Sequence, residues 1–156
     1  MRYIELLSPA KDFTAAVAAI DHGADAVYMG ASRFGARQAA GNSLDDIARV
    51  AEYAHRYGAR LHCTLNTVLF DDELQDAERM ARELIAAGAD ALIVQDMALR
   101  EMNLPIEMHA STQVGNTTPE GVKFLEECGF ARIILERSLS LEEIRNICAA
   151  TSAEVE

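Results

Sequence analysis

The side chains able to do chemistry in this chain gather in six short apolar runs and at their ends. "YIELLSP" carries Glu5 and Ser8, and "AVYMG" carries Tyr28. "RLHCTLN" carries His62, Thr64 and Asn66 on one parity, opposite Leu61, Cys63 and Leu65. "ALIVQ" ends in Gln95 with Asp96 beside it. "IEMHAST" puts Glu107, His109 and Ser111 in step with Gln113, and "RIILE" ends in Glu136 and Arg137. If these runs are strands buried on both faces, each polar group needs a partner or a ligand, because an unpaired one is costly there. A pocket drawn from Glu5, Tyr28, Asn66, Gln95, Asp96, His109, Ser111, Gln113, Glu136 and Arg137 would suit a polar ligand. The competing reading is a polar interior satisfied by mutual hydrogen bonds and water.

The loop "GASRFGARQAAGN" adds Arg33 and Arg37 beside the expected pocket mouth. Arginine suits bidentate capture of a carboxylate or phosphate, so both are candidate anion-binding residues, and the loop's glycines make it a candidate lid. The residues give little support to other chemistries. His22 and His55 fall near helix ends, no HxH or HExxH spacing occurs, and no metal site is expected. His109 and Ser111 point the same way on one strand, but the sequence names no third group to orient them as a nucleophile pair. Cys63, Cys128 and Cys148 are far apart and odd in number, which reads as packed reduced thiols.

What positions these residues is a repeat. "DHGADAVYMGAS" returns as "AAGADALIVQDM" and, more loosely, as "ECGFARIILERS". In each copy a helix ends at glycine and an apolar strand follows; Gly23, Gly58, Gly88 and Gly129 occupy the stop position. Helix starts are marked as well. Ser43 with Asp46, Asp72 with Gln75, and Ser140 with Glu143 have capping-box spacing, and Thr118–Pro119 is an N-cap followed by a first-turn proline. Strands alternating with helices imply a parallel sheet with right-handed crossovers. No GxGxxG supports an open nucleotide-binding sheet, so the expected fold is an α/β, (β/α) TIM-barrel-like domain. A complete barrel takes about 250 residues. This chain has 156, fits about six units, and ends in "AEVE", which reads as the opening of a seventh strand. Residues 1–156 are therefore expected to be one domain, the N-terminal piece of a longer chain.

Half of the residues are hydrophobic, enough for a core, and the net charge of −11 argues against independent binding to a phosphate backbone. No apolar run approaches the ~18 residues of a membrane span. The expected setting is the cytoplasm, without membrane association and with open strand edges that would allow a homo-oligomer.

Several stretches together carry a resemblance. "ELLSPAKDFTAAVAAIDHGADAVYMGASRFGARQAAGN", "LNTVLFDDEL", "ADALIVQD", "IEMHASTQ" and "GVKFLEECGFARIILERSLSLEEI" resemble the peptidase U32 family, the collagenase-like proteases. The family's usual "LLAPAG" opening stands here as "LLSPAK", altering Ser8 and Lys11. The resemblance implies a parent protein that hydroxylates tRNA or rRNA, with a prephenate-like anionic metabolite and an iron–sulfur cluster as possible cofactors. It places the cluster's cysteines in a region downstream, so none of the three cysteines here is expected to serve. RNA would be reached through regions or partners outside this segment. The same family carries a peptidase label, and a non-catalytic scaffold or binding barrel is the third reading.

Overall fold

The computed structural model describes residues 4–35 and 41–156. Seven parallel strands form one sheet in strictly sequential order: β1 (Leu7–Pro9), β2 (Ala26–Gly30), β3 (Arg60–Leu65), β4 (Ala91–Val94), β5 (Glu107–Ala110), β6 (Arg132–Ile133) and β7 (Glu154–Val155). Between them run α1 (Phe13–Asp21), α2 (Leu44–Arg56), α3 (Leu74–Ala86), α4 (Ala98–Glu101), α5 (Pro119–Glu127) and α6 (Leu141–Ala150). A short 3₁₀ turn, Thr112–Val114, precedes α5. This is the expected TIM-barrel-like alternation, curled far enough that Glu5, just before β1, meets Arg132 of β6. The "AEVE" segment does open a seventh strand.

The repeated helix-to-strand joint has one hydrogen-bond pattern. Ala24, Ala59, Ala89 and Phe130, each following a stop glycine, donate back to Ala19, Ala54, Leu84 and Leu125. That is the wide bond of a Schellman closure, and all four glycines have positive φ as it requires. A Cβ at Gly88 would lie 2.9 Å from Ala51 Cβ, and one at Gly129 would run into the guanidinium of Arg100. The acid in "GAD" has a separate job. Asp25 accepts from Leu6 N at 2.8 Å, and Asp90 from Leu61 N at 2.7 Å, so each ties the start of its own strand to the strand before it.

The capping boxes of Ser43 with Asp46 and of Ser140 with Glu143 are both formed, and Thr118 caps α5. The Asp72–Gln75 pair is not a cap. Phe70–Glu73 closes a turn of its own, with Glu73 accepting from Phe70 N at 3.0 Å, and α3 begins only after it.

Strand side chains divide by parity. Val27, Leu61, Cys63, Leu65, Leu92, Val94, Met108 and Ile133 join the buried helix faces, such as Ile47, Val50 and Leu84, in one apolar core. The opposite parity, with Tyr28, His62, Thr64, Ile93, His109, Ser111 and Arg132, faces the concave side. Among the described residues no helix is long and apolar enough to cross a membrane.

Candidate functional site

The concave side is organised in two layers. The upper layer lies at the C-terminal ends of the strands, where parallel barrels build their sites. It is a cavity of about 280 Å³ lined by Pro9 of β1 with Ala10 and Lys11 after it, by Tyr28, Met29 and Gly30 of β2, and by Thr64 of β3 with Asn66 just past it. Ile93, Ser111, Thr112, Gln113, Ile134 and Glu156 complete it. Of the sequence candidates, Tyr28, Asn66, Ser111 and Gln113 are brought together in this lining. Lys11, Thr64 and Glu156 were not among the candidates.

Hydrogen bonds fix the geometry of the rim. Asn66 Nδ2 donates to Ser111 Oγ at 3.2 Å, and the Gln113 backbone N–H donates to the same oxygen at 3.2 Å. Gln95 Nε2 donates to the Gln113 carbonyl at 3.1 Å, so Gln95 supports the lining from behind. Two buried asparagines, each following a glycine, tie the loops. Asn42 Nδ2 donates to the carbonyls of Lys11 and Gly30, and Asn116 Nδ2 to those of Ser111 and Ile134. Burial pushes the Glu156 carboxyl up, against the pull of Arg132 3.7 Å away. Apart from its apolar members, the lining carries the uncharged polar side chains Tyr28, Thr64, Asn66, Ser111, Thr112 and Gln113, with Lys11 and Glu156 as its ionisable groups.

The remaining sequence candidates lie elsewhere. Asp96 accepts from Leu69 N and Ala98 N, both at 2.9 Å, and so joins the loop after β3 to the loop after β4. Glu136 lies just past the lining, its N–H donating to the Asn116 carbonyl at 3.3 Å, and Arg137 is exposed. Arg33 is held by Asp76 of α3 at 3.0 Å and stacks over Phe34, and it does not line the cavity. Arg37 lies outside the described residues.

Glu5 and His109 belong to the lower layer, toward the N-terminal ends of the strands. Arg132, 5% exposed, donates to Glu5 at 2.5 Å and through two nitrogens to Glu154 at 2.9 and 2.6 Å. Arg60 donates to Glu107 at 3.0 Å, and His109 Nε2 bonds the other Glu107 oxygen at 2.8 Å. Burial opposes ionisation of Glu5, but the hydrogen bond and charge of Arg132 outweigh it and hold the carboxyl below its usual range. Glu107 is likewise lowered, burial being overcome by His109 and Arg60. Burial, with smaller contributions led by His109 and Arg132, drives His62 down to about 4. His109 is also lowered, burial prevailing over its bond to Glu107. Both imidazoles are therefore neutral near pH 7.

Two chemistries can be weighed on these contacts. Glu107 supplies the orienting carboxylate for His109 that the sequence did not reveal, yet Ser111 Oγ is engaged by Asn66 and Gln113 instead of by that histidine. Burial, with Asp90 nearby, pushes the Cys63 thiol up to about 12, far from a thiolate. Neither side chain is an activated nucleophile. The cysteines also fail to fit an iron–sulfur cluster: Cys63 is in β3, Cys128 follows α5 and Cys148 is in α6. Among the described residues no group of three or more His, Cys, Asp or Glu side chains could hold a metal ion.

The sequence profile of peptidase family U32 matches residues 11–156. The 23S rRNA 5-hydroxycytidine C2501 synthase of Escherichia coli (strain K12) is 54% identical over 154 residues, covering 98% of this chain and 24% of that protein. The tRNA hydroxylation protein P of the same organism is 33% identical over 148 residues, covering 92% of this chain and 33% of that protein. The chain thus spans a quarter to a third of the length of these relatives. In structure it is similar to a U32 peptidase, with a TM-score of 0.78 and 14% identity over 99% of this chain and 68% of the other, a likeness of fold.

Proposed function

The chain belongs to peptidase family U32, and from that premise we propose that it is the pocket-bearing barrel segment of a protein that hydroxylates a pyrimidine in RNA, ribosomal cytidine first among the candidates. The observation that carries the reading is the 54% identity, over nearly the whole chain, to a protein named for 5-hydroxycytidine synthesis in 23S rRNA. The pocket is compatible with it. Asn66, Ser111, Gln113 and Tyr28 offer hydrogen bonds to a small polar metabolite, and Lys11 offers a charge to a carboxylate of a prephenate-like anion. Where the longer protein carries an iron–sulfur cluster, its ligands come from outside these residues, since the cysteines here do not fit one. RNA contact is likewise assigned to regions or partners beyond this segment, because the chain's charge of −11 repels a phosphate backbone. Peptide hydrolysis is the weaker reading, because Ser111 and Cys63 lack the partners that would activate them.

The test uses the longer protein that contains this chain. Cells lacking it are complemented with wild type or with Asn66→Ala, and 5-hydroxycytidine in 23S rRNA is measured by mass spectrometry. Restoration by wild type and loss of most of the modified nucleoside in the variant are expected. A strain lacking the protein that keeps full modification would overturn the reading.

A further inference from the structure

Beneath the pocket, His62 and His109 meet edge to face with ring centroids 4.8 Å apart, and neither residue exposes any surface. His109 Nε2 is bonded to Glu107, an ionised carboxylate, so that nitrogen carries the proton and Nδ1 carries the lone pair. Among the described residues, Nδ1 of His109 and both ring nitrogens of His62 have no hydrogen-bond partner. Three unpartnered nitrogens on two touching, fully buried rings are costly unless the rings do something with them. On their strands, His62 lies two residues below Thr64 and His109 two below Ser111, both of which line the pocket. At the other end, Glu107 is one-third exposed.

We propose that His62, His109 and Glu107 form a proton path from beneath the pocket to the solvent at the opposite end of the barrel. The spacing permits it. Two imidazoles joined by one N–H···N bond of about 2.9 Å have centroids about 5 Å apart, so a turn about the soft χ2 torsion converts the present contact into a bond. A proton taken up at one nitrogen of His62 lets the other pass its own proton to Nδ1 of His109, so that His62 is neutral again and His109 becomes an imidazolium. The Nε2 proton then passes to the Glu107 carboxylate, the ring is neutral again in its other tautomer, and Glu107 releases the proton to water. The reverse passage, in which Glu107 returns a proton from water to Nε2 and Nδ1 gives up its own, restores the start, and no electron changes hands. The groups facing the pair set its charge balance: Glu5 before β1, Arg60 of β3, Glu107 of β5 and Arg132 of β6, with Glu154 of β7 and Glu156 after it paired to Arg132. Arg60 and Arg132 disfavour a standing imidazolium, which keeps both rings able to accept. The path does not depend on which ligand the pocket takes, so it stands or falls apart from the RNA reading.

Hydrogen exchange of the His62 ring N–H, followed by NMR of the ¹⁵N-histidine-labelled protein at pH 7, tests this directly. A path predicts that this buried proton exchanges at least about a hundredfold faster than the backbone amides of β3, which need a larger opening. Glu107→Gln and His109→Phe should each slow it by about tenfold or more, with β3 amide protection unchanged as proof of folding. Ring exchange no faster than those amides overturns the proposal, as does an unaltered rate in folded Glu107→Gln. Should His109→Phe not fold, Glu107→Gln alone decides.

Discussion

Arg132 and Glu5 are 127 residues apart in sequence, and their 2.5 Å hydrogen bond clasps β6 to the segment that leads into β1. Glu5 is mostly buried and Arg132 almost wholly so, whereas Glu154, the second acceptor, is 65% exposed. Arg132→Met should cost about 3–5 kcal/mol in urea unfolding, because it strands a buried carboxylate. Glu154→Gln, at a solvated site, should cost less than about 1 kcal/mol. Equal costs would contradict the clasp.

The histidine layer makes stability depend on pH with a definite sign. In the unfolded chain His62 binds a proton below its ordinary pKa of 6.5, while in the fold it stays neutral to about 4. Between those values the unfolded state holds more protons, so stability falls as pH falls, by on the order of 3 kcal/mol in all. Glu5 and Glu107, both lowered, add a loss of the same sign as pH falls through their folded pKa values. His62→Phe should flatten the slope of unfolding free energy between pH 4 and 6.5. An unchanged slope would remove His62 as its source.

The stop glycines should differ in cost although they share a conformation. Gly58→Ala meets only the strain of positive φ, about 1 kcal/mol, because nothing lies within 4 Å of the new Cβ. Gly88→Ala adds the approach to Ala51 and should cost about 1–2 kcal/mol more. Thermal melts of the two variants compare them directly.

Arg33 is occupied by Asp76, so Arg33→Ala should leave 5-hydroxycytidine levels in complemented cells unchanged and alter stability by less than about 1 kcal/mol. A loss of modification as deep as that of Asn66→Ala would mean that Arg33 leaves Asp76 to act in the pocket.

Thiol labelling gives a quick check on the core. Cys128 and Cys148, partly exposed, should react with a thiol reagent in the native protein, and Cys63 only after unfolding.

The architecture was legible because its signals are local. Glycine stops, serine and threonine caps and strand parity act within a few residues, and all but the Asp72 cap formed. That one failed because Glu73 competes for the same turn. The site was legible where a strand's parity carried it, as for Asn66 and Ser111. It was obscure where the partner is distant: Asp76 is 43 residues from Arg33, and the carboxylate that orients His109 also answers to Arg60, 47 residues upstream. Glu5 and His109 were expected at the pocket because parity specifies a face but not a depth along the barrel axis. Asn42 and Asn116 left one faint signal, a Gly-Asn pair before each helix cap, which alone reads as a turn.

The sequential strand order carries a consequence for biosynthesis. Every strand after β1 docks on the one made just before it, so a nascent chain leaving the ribosome never waits for a later segment to extend the sheet. Growth of the sheet is vectorial, with each Schellman closure setting the next strand on its template. The exception is the Arg132–Glu5 clasp, which must wait for β6. Until then Glu5 is an acid without its arginine, and the newborn sheet is free to remain uncurled.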